Sequence, residues 1–200
     1  MEGKAANLRK LATEQGFSIF SAWGRILQGR GQVEHGDLVE GLENLEEGLA
    51  DYHAGGQRAE TTLFVAAAAE AYGGAEEGLI ALDEAQAFMQ ASGETYFAAE
   101  LSRLRGECLL AMENRHRLAG PGLSEAEACF RDAIHLAQQQ EARSLELRAA
   151  TSLSRLLRSL NRGREALPIL KGTYASFSEG FELRDLRDAR ELLDALSTTE

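Results

Sequence analysis

A small residue, a large apolar residue four positions later and a small residue three positions after that recur four times in this chain. In an α-helix, such positions lie on one face, and small side chains there let a second helix approach closely. The triplets begin at residues 41, 78, 126 and 166, a spacing typical of solenoids built from helix pairs. They are Gly41-Leu45-Gly48, Gly78-Leu82-Ala85, Ala126-Phe130-Ala133 and Ala166-Leu170-Thr173.

The composition agrees with an all-helical chain. Only two prolines occur in 200 residues, and long stretches are rich in Ala, Leu, Glu and Arg. We therefore predict an all-α fold of about ten helices in antiparallel pairs, forming a single domain over residues 1–200. The predicted parts are a leading helix in 1–16, repeats at 17–56, 57–93, 94–141 and 142–179, and a capping helix in 180–200.

Three residues are predicted to cap helix N-termini. Asp37, Ser124 and Ser144 each precede an apolar periodic stretch, and side-chain oxygens at such positions can bind the free amides of the first turn. Glu127 lies three residues after Ser124, which matches the spacing of a capping box.

Glycines predict several helix ends. Gly16 and Gly93 follow periodic segments and are predicted C-caps. The segment Gly29-Arg30-Gly31 is predicted to end or fray the helix that begins near Phe17, because glycine is a poor helix former.

Apolar spacing also predicts which side chains face inward. Leu8 and Leu11 are expected to face inward on the first helix, which resembles the second half of a repeat whose first half is missing. On the helix after Asp37, a stripe of leucines at positions 38, 42, 45 and 49 is expected to be buried.

The net charge argues against two classes of partner. The net charge of −11 argues against nucleic-acid binding, which requires a basic patch, and against docking on an anionic membrane. The chain has neither a signal-peptide core at its start nor a run of about 20 apolar residues. Cys108 and Cys129 lie among apolar helical residues and are predicted to be buried thiols, so a cytoplasmic location is expected.

Catalytic and metal-binding motifs are missing from the sequence. It contains no Gly-x4-Gly-Lys-Ser/Thr loop for phosphate, no His-Glu-x2-His and no Cys-x2-Cys. The four histidines are scattered, and no pair of carboxylates is distinctive. We predict a protein that is not an enzyme and that needs no cofactor or metal.

With both helices of each pair located, the pattern resembles the tetratricopeptide repeat. The first helix of each pair carries a large residue, a small residue and a further large residue three positions on, and the second helix carries the triplet. The resemblance covers roughly residues 17–178, and only the last repeat has the regular family spacing. It implies a right-handed solenoid that binds a protein or peptide in its concave groove. The first-helix matches are Trp23-Gly24 with Leu27, Ala68-Ala69 with Tyr72, Arg105-Gly106 with Leu109, and Leu153-Ser154 with Leu157.

A closer likeness concerns longer segments. "AELSRLRGECLLA" and "AEACFRDAIHLAQQQEARSLELRAATSLSRLL" look like the C-terminal repeat region of large bacterial signalling ATPases, many of which carry an adenylate or guanylate cyclase domain. That likeness implies a regulatory or scaffold segment of a bacterial signalling protein.

The resemblance also indicates which residues would line the concave face. Three arginines on one helix, at 148, 155 and 158, favour an acidic peptide as partner. The competing interpretation is that they pair with Glu146, Glu165 or acids of the C-terminal helix. The full set is Arg25, Gln28, Glu70, Glu100, Arg103, Glu107, Arg148, Thr151, Arg155 and Arg158.

Two other functions stay open from the sequence. The chain could be a homo-oligomerisation module, with its uncovered first helix packed on a second copy. It could also be a small-molecule sensor with a pocket near Trp23, Phe64 or Tyr96.

Overall fold

The computed structural model describes residues 2–55, 76–116 and 122–198, and over these residues the chain is helical, as predicted. None of the described helices combines the length and the apolar character that a membrane span requires. The described helices are α1 (Glu2–Glu14), α2 (Ser18–Glu34), α3 (Leu38–Ala54), α4 (Glu76–Ser92), α5 (Ala98–His116), α6 (Gly122–Gln139), α7 (Arg143–Ser159), α8 (Gly163–Tyr174) and α9 (Arg184–Ser197).

The chain divides into two compact units, residues 1–95 and 96–200. In the first unit, α1 packs on α2 and α2 packs on α3. The first part of the predicted repeat over residues 57–93, up to residue 75, lies outside the described residues. The predicted single domain over 1–200 stays a prediction.

In the second unit, which contains α5 to α9, each helix packs on the next one along the chain. Contacts also join α5 to α7 and α7 to α9. Helix α7 is therefore central, and its leucines form the core with Phe130 and Leu170.

All four triplets are buried, so the small–large–small pattern correctly located the faces on which the helices pack. Each large member, at positions 45, 82, 130 and 170, is at most 1% exposed. The small members are needed for close approach. A Cβ atom added to Gly48 would lie 2.6 Å from Ile26 Cγ1, and one added to Gly106 would lie 2.6 Å from Phe130 Cε1.

The prediction that Gly29-Arg30-Gly31 ends a helix is wrong, because α2 continues to Glu34. Gly29 is a contact residue: a Cβ atom there would lie 2.5 Å from the carbonyl oxygen of Gly41 and 2.8 Å from the nitrogen of Leu45. The packing of α3 against this glycine offsets its low helix propensity.

The prediction that Leu11 faces inward is also wrong. Leu11 is 59% exposed, whereas Ala5 and Ala12 are buried. The cause is the close approach of α1 and α2, since a Cβ atom on Gly24 would lie 2.8 Å from the backbone nitrogen of Arg9. Helices this close can bury only small side chains between them.

On α3, the predicted leucine stripe is correct only in part. Leu45 is buried, and Leu42 and Leu49 pack against it, but Leu38 is 51% exposed. Leu38 is the first residue of the helix and precedes the buried stripe, which runs from Gly41 to Tyr52.

The predicted glycine C-caps are confirmed. Gly16 has a φ of 72° and Gly93 a φ of 74°, a conformation that glycine adopts without strain. After α1, the amide of Gly16 donates to Thr13 O and that of Phe17 donates to Ala12 O, which is the Schellman arrangement.

Of the three predicted N-caps, only Asp37 occupies an N-cap position. Asp37 occupies the N-cap position of α3, but its side chain makes no capping bond. Ser124 and Ser144 lie inside their helices, which begin two residues and one residue earlier. The amide at the start of α6, that of Gly122, donates instead to Glu113 Oε1 at 3.0 Å. A carboxylate from the preceding helix thus accepts a hydrogen bond from the amide of the first residue of α6.

Candidate binding surface

Charged side chains from α5 and α7 form a network in the second unit. Glu100 is 5% exposed and accepts two hydrogen bonds from Arg103, at 3.0 Å from Nε and 2.8 Å from Nη2. Arg148 Nη1 reaches the same carboxylate at 2.9 Å. One buried carboxylate therefore binds two guanidiniums from different helices.

The network continues along α5. Arg103 Nη1 donates to Glu107 Oε1 at 3.3 Å, and the hydroxyl of Ser152 on α7 donates to the same oxygen. Burying an ion pair costs desolvation free energy, and removing one partner then destabilises the fold strongly because it leaves an unpaired buried charge. This network therefore fixes the register of α7 on α5, and its buried members have little freedom to bind a partner.

The remaining predicted residues of α7 are arranged differently. Thr151 is 5% exposed, and its hydroxyl donates to Leu147 O at 2.8 Å. Arg155 is exposed and reaches Asp188 of α9 at 3.3 Å. Arg158 is exposed, and no carboxylate in the described part of the chain forms an ion pair with it. Arg155 and Arg158 are thus the exposed cations of this surface.

The competing interpretation of the three arginines holds in part. Arg155 does pair with an acid of the C-terminal helix, whereas Arg148 pairs with Glu100, which the sequence did not suggest as its partner. Glu146 pairs with Arg143 instead.

Two predicted site residues lie in the first unit and one lies outside the described residues. Arg25 pairs with Glu47 and, at 3.5 Å, with Asp51, both on α3. Gln28 Oε1 accepts a hydrogen bond from Arg9 at 3.4 Å. Glu70 falls in the part that the structure does not describe.

Two of the three aromatic residues suggested as neighbours of a small-molecule pocket lie in the described part of the chain. Trp23 packs against the buried cluster of the first unit. Tyr96 is 75% exposed, and Phe64 lies outside the described part.

A second ion network, which the sequence analysis missed, joins α6 to α8. Glu127 accepts from Arg131 at 2.8 Å and from Arg162 at 2.6 Å, and Glu165 accepts from both arginines. The hydrogen bonds from Arg162, and then those from Arg131, hold the pKa of each carboxyl below its ordinary value. The same carboxylates raise the pKa of both guanidiniums.

Part of this second network was visible in the sequence. Glu127 and Arg131 are four residues apart and Arg162 and Glu165 are three apart, which are helix-pair spacings. The contacts between helices carried no sequence signal, because they depend on how α6 and α8 lie on α7.

Neither cysteine forms a disulfide, and the predicted burial is confirmed for Cys108 but not for Cys129, which is only partly buried. Cys108 is 2% exposed, and burial raises the pKa of the half-buried Cys129 thiol. Across the described ranges, no group of three His, Cys, Asp or Glu side chains could hold a metal ion.

Comparison with known proteins adds no identification. No family model matches the chain, and no curated protein has significant sequence similarity to it.

Proposed function

We propose that this chain is a non-enzymatic protein-interaction scaffold, a tetratricopeptide-like right-handed solenoid of about ten helices that binds an acidic peptide segment. The observation that carries the proposal is the pair of exposed arginines, Arg155 and Arg158, three residues apart on α7. A guanidinium can bind a carboxylate through two parallel hydrogen bonds, which suits recognition of Asp and Glu side chains.

The weakness of the pair between Arg155 and Asp188 supports this proposal. The two side chains are 53% and 38% exposed, and exposed ion pairs contribute only about 0–1 kcal/mol. A partner carboxylate can therefore replace Asp188 at little cost. The buried network around Glu100 would meanwhile hold α7 in place on α5.

Fluorescence anisotropy with a labelled octaglutamate peptide tests the proposal, with octalysine as the reverse-charge probe. Arg155→Gln and Arg158→Gln should each weaken octaglutamate binding, by about three- to tenfold. Arg164→Gln is the matched control, because it removes the same charge from an exposed position on α8.

A second pair of variants separates local competition from overall charge. Asp188→Asn should strengthen octaglutamate binding, because it frees Arg155 from its intramolecular partner. Asp185→Asn makes the same charge change at an exposed residue of α9 and should have less effect. The proposal fails if octaglutamate does not bind, or if Arg164→Gln weakens binding as much as Arg158→Gln.

Self-association is a second candidate function, favoured by one observation in the first unit. Leu11, Phe17 and Phe20 are 59%, 57% and 51% exposed. The Phe17 and Phe20 rings meet edge to face at 6.3 Å, and Phe20 meets Trp23 in the same way at 6.4 Å. Exposed apolar side chains that pack together are typical of interaction surfaces.

Light scattering over a wide concentration range tests self-association. If α1 and α2 form the interface, the wild type is a dimer and Leu11→Glu is a folded monomer. Val39→Glu is the control, since Val39 is 74% exposed on α3 and should leave the dimer intact. A wild type that stays monomeric at the highest concentration contradicts this candidate.

The wider setting that we propose is a regulatory segment of a bacterial signalling protein in the cytoplasm. It rests on the resemblance of the repeat segments to those of signalling ATPases and cyclases.

A further inference from the structure

The two compact units differ sharply in charge. Residues 1–95 contain 16 Asp and Glu but only six Lys and Arg, whereas residues 96–200 contain 16 and 15. The first unit therefore carries almost all of the net charge of −11, and the second unit is close to neutral. Such an asymmetry favours contact between the acidic part of one molecule and exposed cations of another.

The negative charge of the first unit is dense at the start of α3. Residues 36–47 contain five acidic residues and no Lys, Arg or His. Two of the five, Glu40 and Glu43, are exposed, and neither forms an ion pair in the described part of the chain. Glu47, in contrast, already pairs with Arg25. The start of α3 therefore offers two carboxylates that can bind cations of another molecule.

The spacing of these carboxylates matches that of the exposed arginines on α7. Glu40 and Glu43 are three residues apart on one helix, and Arg155 and Arg158 are three residues apart on another. Side chains three apart on a helix have Cβ atoms about 5–6 Å from each other. Two helix surfaces with this common separation can form two ion pairs side by side, so both arginines are used at once.

Helix α9 is a poorer match for the arginine pair. It also carries exposed acids three residues apart, Glu191 and Asp194. However, arginines at positions 184, 187 and 190 are interleaved with the acids of this helix. Bringing like charges together across an interface is unfavourable, so these arginines oppose the approach of Arg155 and Arg158 from another molecule. The start of α3 has no such cation.

Repulsion between two acidic chains does not prevent this contact. Each copy carries a net charge of −11, which opposes association at long range. At physiological ionic strength the Debye length is about 8 Å, so charges farther from the contact are largely screened. The surface that receives α3 also belongs to the unit that is close to neutral. The charges at the contact itself therefore decide whether two copies bind.

We propose that the acidic segment bound by Arg155 and Arg158 is the start of α3 in a second copy of this chain. Glu40 and Glu43 of one copy would pair with the two arginines of the next, so that copies associate head to tail. This inference rests on the function proposed above and names the partner of the same site. It is separate from association through α1 and α2, because neither of those helices contains any of the four residues. A contact between unlike surfaces leaves one surface of each kind free, so it can extend into chains of copies.

Two variants that each lack one side of the contact allow it to be measured without chain growth. The ¹⁵N-labelled reporter carries Glu40→Gln and Glu43→Gln and keeps both arginines. The unlabelled ligand carries Arg155→Gln and Arg158→Gln and keeps both acids. Adding the ligand to the reporter should shift the amides of Arg155 and Arg158, with a dissociation constant on the order of 0.1–1 mM. Neither variant should bind a second copy of itself.

Two further ligands identify the acidic side of the contact. The ligand that also carries Glu40→Gln and Glu43→Gln should bind the reporter about tenfold more weakly or not at all. The ligand that instead carries Glu191→Gln and Asp194→Asn loses the same charge on α9, and its affinity should change by less than about twofold. Amide spectra establish first that every variant is folded.

Octaglutamate, added to the same reporter, separates the partner from the proposed function. Binding of the ligand that is lost without Glu40 and Glu43 and kept without Glu191 and Asp194 supports α3 as the partner. If octaglutamate shifts the arginine amides but the ligand does not, the acidic-peptide site stands and the second copy is overturned as its partner. If neither shifts them, both the partner and the proposed function are overturned. An equal loss of binding without either acid pair overturns the assignment to α3.

Discussion

The contact between Gly106 and Phe130 gives the most demanding test of the fold. Gly106 lies in α5 at the point where α6 crosses it. A Cβ atom there would lie 2.6 Å from Phe130 Cε1 and 2.9 Å from both Cδ1 and Cζ. Carbon atoms in ordinary contact are about 3.5–4.0 Å apart, so Gly106→Ala requires the ring to move by about 1 Å.

The ring has little room for that movement. Phe130 is 0% exposed, and its triplet neighbours Ala126 and Ala133 are also 0% exposed. Overpacking of this kind costs about 1–3 kcal/mol, while replacing glycine by alanine inside a helix returns about 1 kcal/mol. We expect Gly106→Ala to lower the free energy of unfolding by up to about 2 kcal/mol. For a unit of about 100 residues, that lowers the melting temperature by up to about 16 °C.

Thermal and urea unfolding followed by circular dichroism measure this effect. Gly172→Ala is the matched control, because it makes the same change in α8 at a site with open space. It should raise stability by about 0.5–1 kcal/mol. The two substitutions are chemically identical, but their effects on the free energy of unfolding should have opposite signs.

A double-mutant cycle attributes the cost to the ring. Phe130→Leu removes the two outer ring atoms that the new methyl group would meet, so Gly106→Ala should cost less in that background. We expect a coupling free energy of about 1–2 kcal/mol between the two sites. A stabilising Gly106→Ala in the wild-type background, or additive single mutants, would refute the close contact.

Three further predictions concern charge and thiols. The lowered pKa of Glu127 means that its ion network is complete above about pH 4.5 and is lost as pH falls through the folded value. Arg162→Gln should therefore be less stable than the wild type at pH 7, with the difference closing in acid unfolding below pH 4.5. Glu100→Ala leaves Arg103 buried with a weaker partner and should cost about 3 kcal/mol in urea unfolding, much of it recovered by adding Arg103→Met. Burial raises the pKa of Cys129, so iodoacetamide should alkylate it slowly at pH 7 and faster as pH rises or urea is added.

Each of these has a result that would contradict it. If Arg162→Gln lowers stability by the same amount at pH 7 and at pH 3, the ion network does not lower the pKa of Glu127. No recovery in the double variant of Glu100 and Arg103 would show that the loss has another cause. Alkylation of Cys129 at the rate of a free cysteine would place its thiol in solvent.

Sequence spacing predicted the buried helix faces and the glycine C-caps, but it assigned the wrong role to Gly29. The four triplets are local patterns, and a helix brings residues three and four apart together whatever it packs against. A glycine such as Gly29 is ambiguous, because it weakens a helix in isolation but permits close contact when another helix approaches. Which role Gly29 has depends on the position of α3, and in this structure α3 packs closely against it.

The candidate sites were predictable only in part for the same reason. Spacing and the family resemblance pointed to α5 and α7 as carriers of charged side chains. They did not indicate that Glu100 binds two arginines, that Thr151 is buried, or that Arg158 is exposed without an ion pair in the described part of the chain. Such differences depend on the distance between helices, which sequence periodicity does not encode.

The sequence by itself determined that this chain is helical, where most of its helices lie and which stripes they bury, because these follow from periodicity and from glycine at helix ends. The tertiary structure decided which charges are buried and which are exposed, how α6 begins, and which helices the ion networks link. These features join residues such as Glu100 and Arg148 that are distant along the chain, and only packing brings them together.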